Sequence, residues 1–169
     1  MKSYRLWIYA IICRILPETR FFEVKTALLR WCGAKIGKNV RISSSARFFG
    51  NGELIIGNDV WIGTDNVIHS VSRANIRIGN CCDLGPGVMI LTGSHQIDPD
   101  GTHIAGKGTF ANVEIADGCW LGARSLILPG VNLRENTVVA AGAVMNKSSM
   151  EKKCLYAGVP AEIKKRYAK

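Results

Sequence analysis

The hydrophobic positions of this chain recur every six residues. Ile115, Leu121, Ile127, Leu133, Val139 and Met145 stand six apart, and Cys119, Ser125, Val131, Thr137, Ala143 and Ser149 fill the fourth place after each. The same beat runs through Ile36, Ile42 and Phe48, through Ile56, Ile62 and Ile68, and through Ile78, Leu84 and Ile90, so the hexads fall into five groups of three. A strand alternates with period two and an amphipathic helix with period 3.6; an aliphatic every sixth residue, with turn-prone Gly, Asn and Asp between, fits neither. The pattern predicts short strands that turn a corner every six residues. Each aliphatic points into a prism, the small fourth residue fits the inside of a corner, and the coils pair in parallel around one apolar column.

Before the first hexad, the apolar run Leu6 to Cys13 follows Lys2 and Arg5 as a signal peptide would begin. Arg14 interrupts it, no small-x-small cleavage pattern follows, and the run is too short to span a bilayer. It predicts a helix over residues 4–16 ended by Pro17, with a second helical stretch over about 20–32 running to Gly33. Both are expected to cover the open first coil, whose backbone edges would otherwise face water. The expected plan is a helical cap over 1–35, a parallel β-helix of about five coils over 36–149, and a basic C-terminal tail or helix over 150–169.

The beat breaks hard once, between Ile90 and Ile115. Within that gap, residues 96–111 carry Pro99, Gly101, Gly106 and Gly108 and read as a loop thrown out from a corner, with His95 at its root in Thr92-Gly93-Ser94-His95. Long loops on rigid scaffolds tend to carry function. Histidine suits such a place, being the side chain that ordinarily exchanges its proton near neutral pH.

Composition narrows the picture further. The length of 169 residues suits a single domain. Cys13, Cys32, Cys81, Cys82, Cys119 and Cys154 show no CxxC or zinc-knuckle spacing, and Cys82 and Cys119 occupy interior slots of the repeat. Buried reduced thiols in a reducing, cytoplasmic compartment are the expectation. Of the net charge of +9, residues 1–35 and residues 147–169 carry +5 each, which leaves the middle at −1. Without aromatic-interleaved strands or a recognition-helix signal, the charge does not point to nucleic acid. The N-terminal cations beside Trp7, Ile8, Ile11 and Ile12 give the segment the makings of a peripheral contact with an anionic membrane surface.

The motifs are more specific than the beat. Thr92-Gly93-Ser94-His95 before a long loop, Ile115 to Ala123 (IADGCWLGA), Leu128 to Val131 (LPGV), Ala140 to Val144 (AAGAV) and Ala157 to Ala161 (AGVPA) resemble the hexapeptide-repeat O-acetyltransferases of galactoside, maltose and nodulation-factor type. Leu29-Arg30 followed by Gly33 to Val40 (GAKIGKNV) is more similar to the colanic acid branch, which modifies sugars of exopolysaccharides. The resemblance spans about residues 27–166. It implies a left-handed β-helix, a homotrimer, and acetyl-CoA lying between neighbouring prisms. It implies that His95 is the general base for a sugar hydroxyl. It places Trp120 in the cofactor groove, Ala123 and Ala141 where backbone groups bond the pantetheine, Asn146 and Lys147 near the adenine and ribose, and Lys165 at the 3′-phosphate.

Two positions depart from the family pattern. Gly63 stands where the galactoside branch has Asn, and Gln96 where the colanic acid branch has Asp after its histidine. The group orienting His95 is therefore open: a backbone carbonyl, or one of the acceptor-side carboxylates Asp65, Asp83 and Asp98. Two other functions share the repeat. One is a streptogramin- or chloramphenicol-type drug acetyltransferase. The other is a γ-class carbonic anhydrase-like metal hydratase, but the spacing of His69, His95 and His103 differs from that class and no metal site is expected.

Overall fold

A computed structural model describes residues 1–168. Two helices, α1 (Ser3–Ile15) and α2 (Phe22–Trp31), precede a stack of short strands. The first coil comprises β1 (Lys35–Ile36), β2 (Arg41–Ile42) and β3 (Arg47–Phe49), and the second β4 (Glu53–Ile56), β5 (Trp61–Ile62) and β6 (Val67–His69). The third comprises β7 (Asn75–Ile78), β8 (Asp83–Leu84) and β9 (Met89–Leu91). A hairpin, β10 (Gly93–Ile97) and β11 (Ala105–Phe110), then leaves the stack. The fourth coil follows as β12 (Val113–Ile115), β13 (Trp120–Leu121) and β14 (Leu126–Ile127), and the fifth as β15 (Asn132–Leu133), β16 (Val138–Val139) and β17 (Val144–Met145). Two strands close the chain, β18 (Cys154–Ala157) and β19 (Glu162–Arg166).

Three parallel faces result: β1-β4-β7-β12-β15, β2-β5-β8-β13-β16 extended by β18 and β19, and β3-β6-β9-β14-β17. Register follows the six-residue beat. Ile56 pairs with Ile78 and Ile78 with Ile115 on the first face, Ile62 with Leu84 and Leu84 with Leu121 on the second, and Ile68 with Ile90 and Ile90 with Ile127 on the third. All the beat aliphatics are buried except Ile36, which is half-buried in the first coil. Corner side chains tie the coils along the axis. The Asn58 amide oxygen accepts the Lys38 N–H (2.8 Å), that of Asn80 accepts the Asn58 N–H (2.8 Å), and the Asp117 carboxylate accepts the Asn80 N–H (2.7 Å). Hydrogen bonds from the Asn80 side chain and backbone hold the Asp117 carboxyl below its ordinary range.

The helical lead covers the first coil. Leu6, Tyr9 and Cys13 of α1 and Leu29 of α2 join the same buried cluster as the column, and the Tyr9 ring meets Phe48 edge-on at 5.7 Å. The linker between the helices is held by buried Lys25, whose ammonium donates to the carbonyls of Pro17 (3.0 Å) and Glu18 (2.7 Å). Its burial lowers the pKa of that amine.

The C-terminal segment differs from the expected tail or helix. Cys154 and Tyr156 alternate inward, so β18 adds to β16 in parallel and begins a sixth turn, and β19 pairs back onto β18 antiparallel. The exposed edge of the second face is thereby paired, and the Glu151 carboxylate receives two bonds from the Arg166 guanidinium at 2.8 and 2.9 Å.

All six cysteines are free and only Cys81 is exposed. Burial raises the pKa of Cys13 and Cys32, and a hydrogen bond with Cys82 together with burial keeps the Cys119 thiol protonated. Thiolate reactivity needs both exposure and ionisation. A disulfide-exchange reagent is therefore expected to titrate one thiol in the folded protein and six after denaturation, read by absorbance; prompt release of several from the native state would contradict this core.

Candidate active site

The arm that interrupts the beat leaves at the edge between the third and first faces, one residue after Leu91. Its feet are joined, the Ala111 N–H donating to the Thr92 carbonyl (2.9 Å), and Gly93 pairs with Phe110, Ser94 with Thr109 and His95 with Gly108. The loop read over 96–111 is thus mostly a β-hairpin. The register shifts between His95 and Ile97, and a bulge of this kind re-aims a side chain. Here it brings the His95 ring to the backbone of the opposite strand, with Nδ1 2.8 Å from the Gly106 carbonyl oxygen. A carbonyl can only accept, so in the neutral ring Nδ1 carries the proton and Nε2 keeps its lone pair. His95 is exposed, so that lone pair is open to a ligand.

The partner of the ring is a backbone carbonyl and none of the three carboxylates. Asp98 lies further out on the same arm, where its N–H donates to the Ile104 carbonyl (2.9 Å). Asp65 is an exposed corner residue at φ 56°, its N–H donating to the Ser45 hydroxyl (3.0 Å). Asp83 is exposed on the outer side of the second face, paired with Trp61 on one side and Trp120 on the other. Gly63 has a steric reason to be glycine: a Cβ there would stand 2.8 Å from the Leu84 carbonyl oxygen.

The residues assigned to the cofactor fall into two groups. Across the second face the register runs from Trp120 to Val138, Leu155 and Lys165, so Trp120 and Lys165 project from one outer surface about 14 Å apart at ordinary strand spacing. Ala123 and Ala141 stack at the next corner, where the Gly142 N–H donates to the Ala123 carbonyl (2.9 Å). Asn146 and Lys147 follow β17 at the other edge, the one that carries the root of the arm, two coils above it. The single chain therefore presents Trp120, Ala123, Ala141 and Lys165 on one side, and His95, Asn146 and Lys147 on another. The Gly106 carbonyl was not singled out by the sequence, because a backbone acceptor carries no residue signature. Among the described residues, no three His, Cys, Asp or Glu side chains gather as a metal ion would require, and His69 packs edge-on against Phe49 at 6.1 Å.

Residues 112–147 match the family model described as the hexapeptide repeat of succinyl-transferase. Over 146 residues, 85% of this chain and 76% of the relative, the sequence is 32% identical to the Escherichia coli K12 protein named colanic acid biosynthesis acetyltransferase WcaF. This chain belongs to the hexapeptide-repeat acetyltransferases. The acetyltransferase is also 29% identical to the galactoside O-acetyltransferase of Lactococcus lactis, over 85% of this chain and 68% of that one. In three dimensions it resembles a hexapeptide-repeat-containing acetyltransferase of Vibrio cholerae crystallised with acetyl coenzyme A, at a TM-score of 0.69 and 23% identity, over 97% of this chain and 88% of that one. That likeness identifies the stack as the left-handed parallel β-helix.

Proposed function

We propose that this acetyltransferase moves the acetyl group of acetyl-CoA to a hydroxyl of a sugar in a cell-surface polysaccharide or its precursor, with His95 as general base. The observation that carries the reading is the bond between His95 Nδ1 and the Gly106 carbonyl, which leaves Nε2 as the proton acceptor. The His95 Nε2 lone pair takes the hydroxyl proton as the oxygen attacks the thioester carbonyl carbon. The tetrahedral intermediate then collapses, the C–S bond breaks, and the CoA sulfur leaves with a proton returned by the imidazolium. The Gly106 carbonyl holds the ring in one tautomer and orientation throughout, so no protein nucleophile is required. The names of the relatives, one for colanic acid and one for galactosides, support a sugar as acceptor.

The division of the cofactor residues between two sides supports a homotrimer. Trp120, Ala123, Ala141 and Lys165 of one copy face the same acetyl-CoA as His95, Asn146 and Lys147 only when the arm-bearing edge of one prism lies against the second face of the next. In that groove the Trp120 indole flanks the pantetheine, backbone groups of Ala123 and Ala141 bond its amides, Asn146 and Lys147 lie at the adenine and ribose, and the Lys165 ammonium meets the 3′-phosphate. Asp83, beside Trp120, is the acidic residue best placed toward an acceptor in the groove. Acetyl-CoA and unpaired thiols both belong to the cytoplasm, which is where this chemistry would run.

The donor assignment is checked by release of CoA thiol from acetyl-CoA on addition of hexose-containing acceptors. Lys147→Ala combined with Lys165→Ala is expected to raise the KM for acetyl-CoA by about tenfold or more with kcat nearly kept, a contact at the ribose end and a charge-assisted contact to the 3′-phosphate being lost. An unchanged KM would make both lysines solvated surface charges.

A further inference from the structure

Helix α1 is apolar on two opposite sides, and the fold uses only one. Leu6, Tyr9 and Cys13 face the first coil and are buried. At 100° per residue, Tyr4, Trp7, Ile11 and Ile15 form a stripe on the other side, and they are 60, 68, 40 and 82% exposed. Helices apolar all round are normally enclosed by protein or lipid. Past the helix, Phe21, held at φ 53°, is 58% exposed, and Val24 is 45% exposed.

The charges around the stripe select its occupant. Arg14 follows Trp7 by seven residues, on the flank of the stripe, and exposed Lys2 and Arg20 stand at either end of the helix and its linker. The acids of this lead are Glu18, which accepts bonds from the Ser45 N–H and hydroxyl at 3.2 and 3.1 Å, and exposed Glu23 in the first turn of α2. Residues 1–35 keep a net +5, so two copies meeting stripe to stripe would oppose like charges, whereas an anionic bilayer satisfies both the apolar stripe and the cations. Trp7 and Tyr4 are also the side chains that settle at a membrane–water boundary. A cavity of about 590 Å³ opens beside α1, lined by Trp7, Ala10, Arg14, Arg47 and Phe49 and by Tyr9, whose buried hydroxyl has no hydrogen-bond partner. It is roomy enough for apolar chain ends next to two guanidinium groups. From Phe49 at its rim, the register on the third face runs to His69 and Leu91, directly below the root of the His95 arm.

We infer that α1 is an in-plane membrane-docking helix for anionic lipid, which sets the first-coil end of the prism toward the bilayer surface. No helix among the described residues is long and apolar enough to cross a membrane, and docking of this kind needs none. The inference deepens the proposed function, because it places the acceptor on a lipid or at a lipid surface, yet it does not depend on the role of His95.

The test is flotation of the full-length protein with phosphatidylcholine vesicles, with and without 30% phosphatidylglycerol (about one anionic lipid in three, an ordinary anionic-leaflet composition). The wild type is expected to float with the anionic vesicles and at least about fivefold less with neutral ones or in 0.5 M NaCl (a screening length of roughly 4 Å). Trp7→Glu combined with Ile11→Glu should abolish flotation while the melting temperature stays within about 2 °C, since both side chains are exposed. His95→Ala should float as the wild type does, which separates failure of this inference from failure of the catalytic reading. Absence of wild-type flotation, or equal flotation of the stripe variant, overturns it. So does a wild type that stays with neither vesicle while the stripe variant loses mass in size-exclusion light scattering, which would assign the stripe to a second copy.

Discussion

His95→Ala is expected to lower kcat by about 10²–10⁴ while the KM for acetyl-CoA changes little, because in the proposed mechanism the ring moves a proton and is not needed to hold the thioester. The structure adds a second expectation. The Gly106 carbonyl fixes the proton on Nδ1, so the side chain that best imitates the ring without Nε2 basicity is asparagine, with its amide N–H toward that carbonyl. His95→Asn should preserve the fold of the arm and still be as inactive as alanine, measured by CoA release under saturating acetyl-CoA. Turnover near wild type in either variant would remove His95 from the chemistry.

Gly122→Val is expected to damage the wall of the prism severely. A Cβ at Gly122 would stand 2.5 Å from the Ala141 nitrogen and 2.9 Å from the Val139 oxygen, both of them backbone atoms. The same movement would strain the bond from the Gly122 N–H to the Val139 carbonyl, now 2.7 Å. The fourth and fifth coils would have to part at the corner that carries Ala123 and Ala141. Overpacking against backbone costs about 3 kcal/mol, which for a domain of this size lowers the melting temperature by roughly 6–12 °C. Gly142→Asn is the control. At φ 69° asparagine is tolerated, and a Cβ there meets nothing within 4 Å, so its melting temperature should move little. Equal melting temperatures for the two variants would mean that the coils are not packed backbone to backbone at this corner.

Most of the scaffold was legible because its determinants are local and repeated. The aliphatics of the beat lie in the three faces in the expected register, and the two helices begin and end within two residues of the expectation, Pro17 and Gly33 punctuating them. The C-terminal strands were not legible. Glu162 to Arg166 has too many cations to read as a strand, and what makes it one is the unpaired edge of β18, a tertiary fact. The site divides in the same way. His95 announced itself by residue type and by its place in the interruption, while its partner Gly106 contributes only a carbonyl, and the arm that presents it looked like a loop because Gly93, Gly101, Gly106 and Gly108 punctuate it. The N-terminal stripe was half visible: Trp7 and Ile11 stood out, but only the burial of Leu6, Tyr9 and Cys13 shows which side of α1 the fold leaves uncovered.

The closed feet of the arm have a consequence for how such a protein can change over evolutionary time. Ile78 pairs with Ile115 as though nothing intervened, and the Ala111–Thr92 bond seals the excursion at its base. Length and sequence beyond that seal can drift without disturbing the stack beneath, since each coil contacts only its neighbours. The arm that carries His95 is in this sense a replaceable module mounted on a frame of fixed geometry, and its sequence can be rewritten while the stack beneath stays intact.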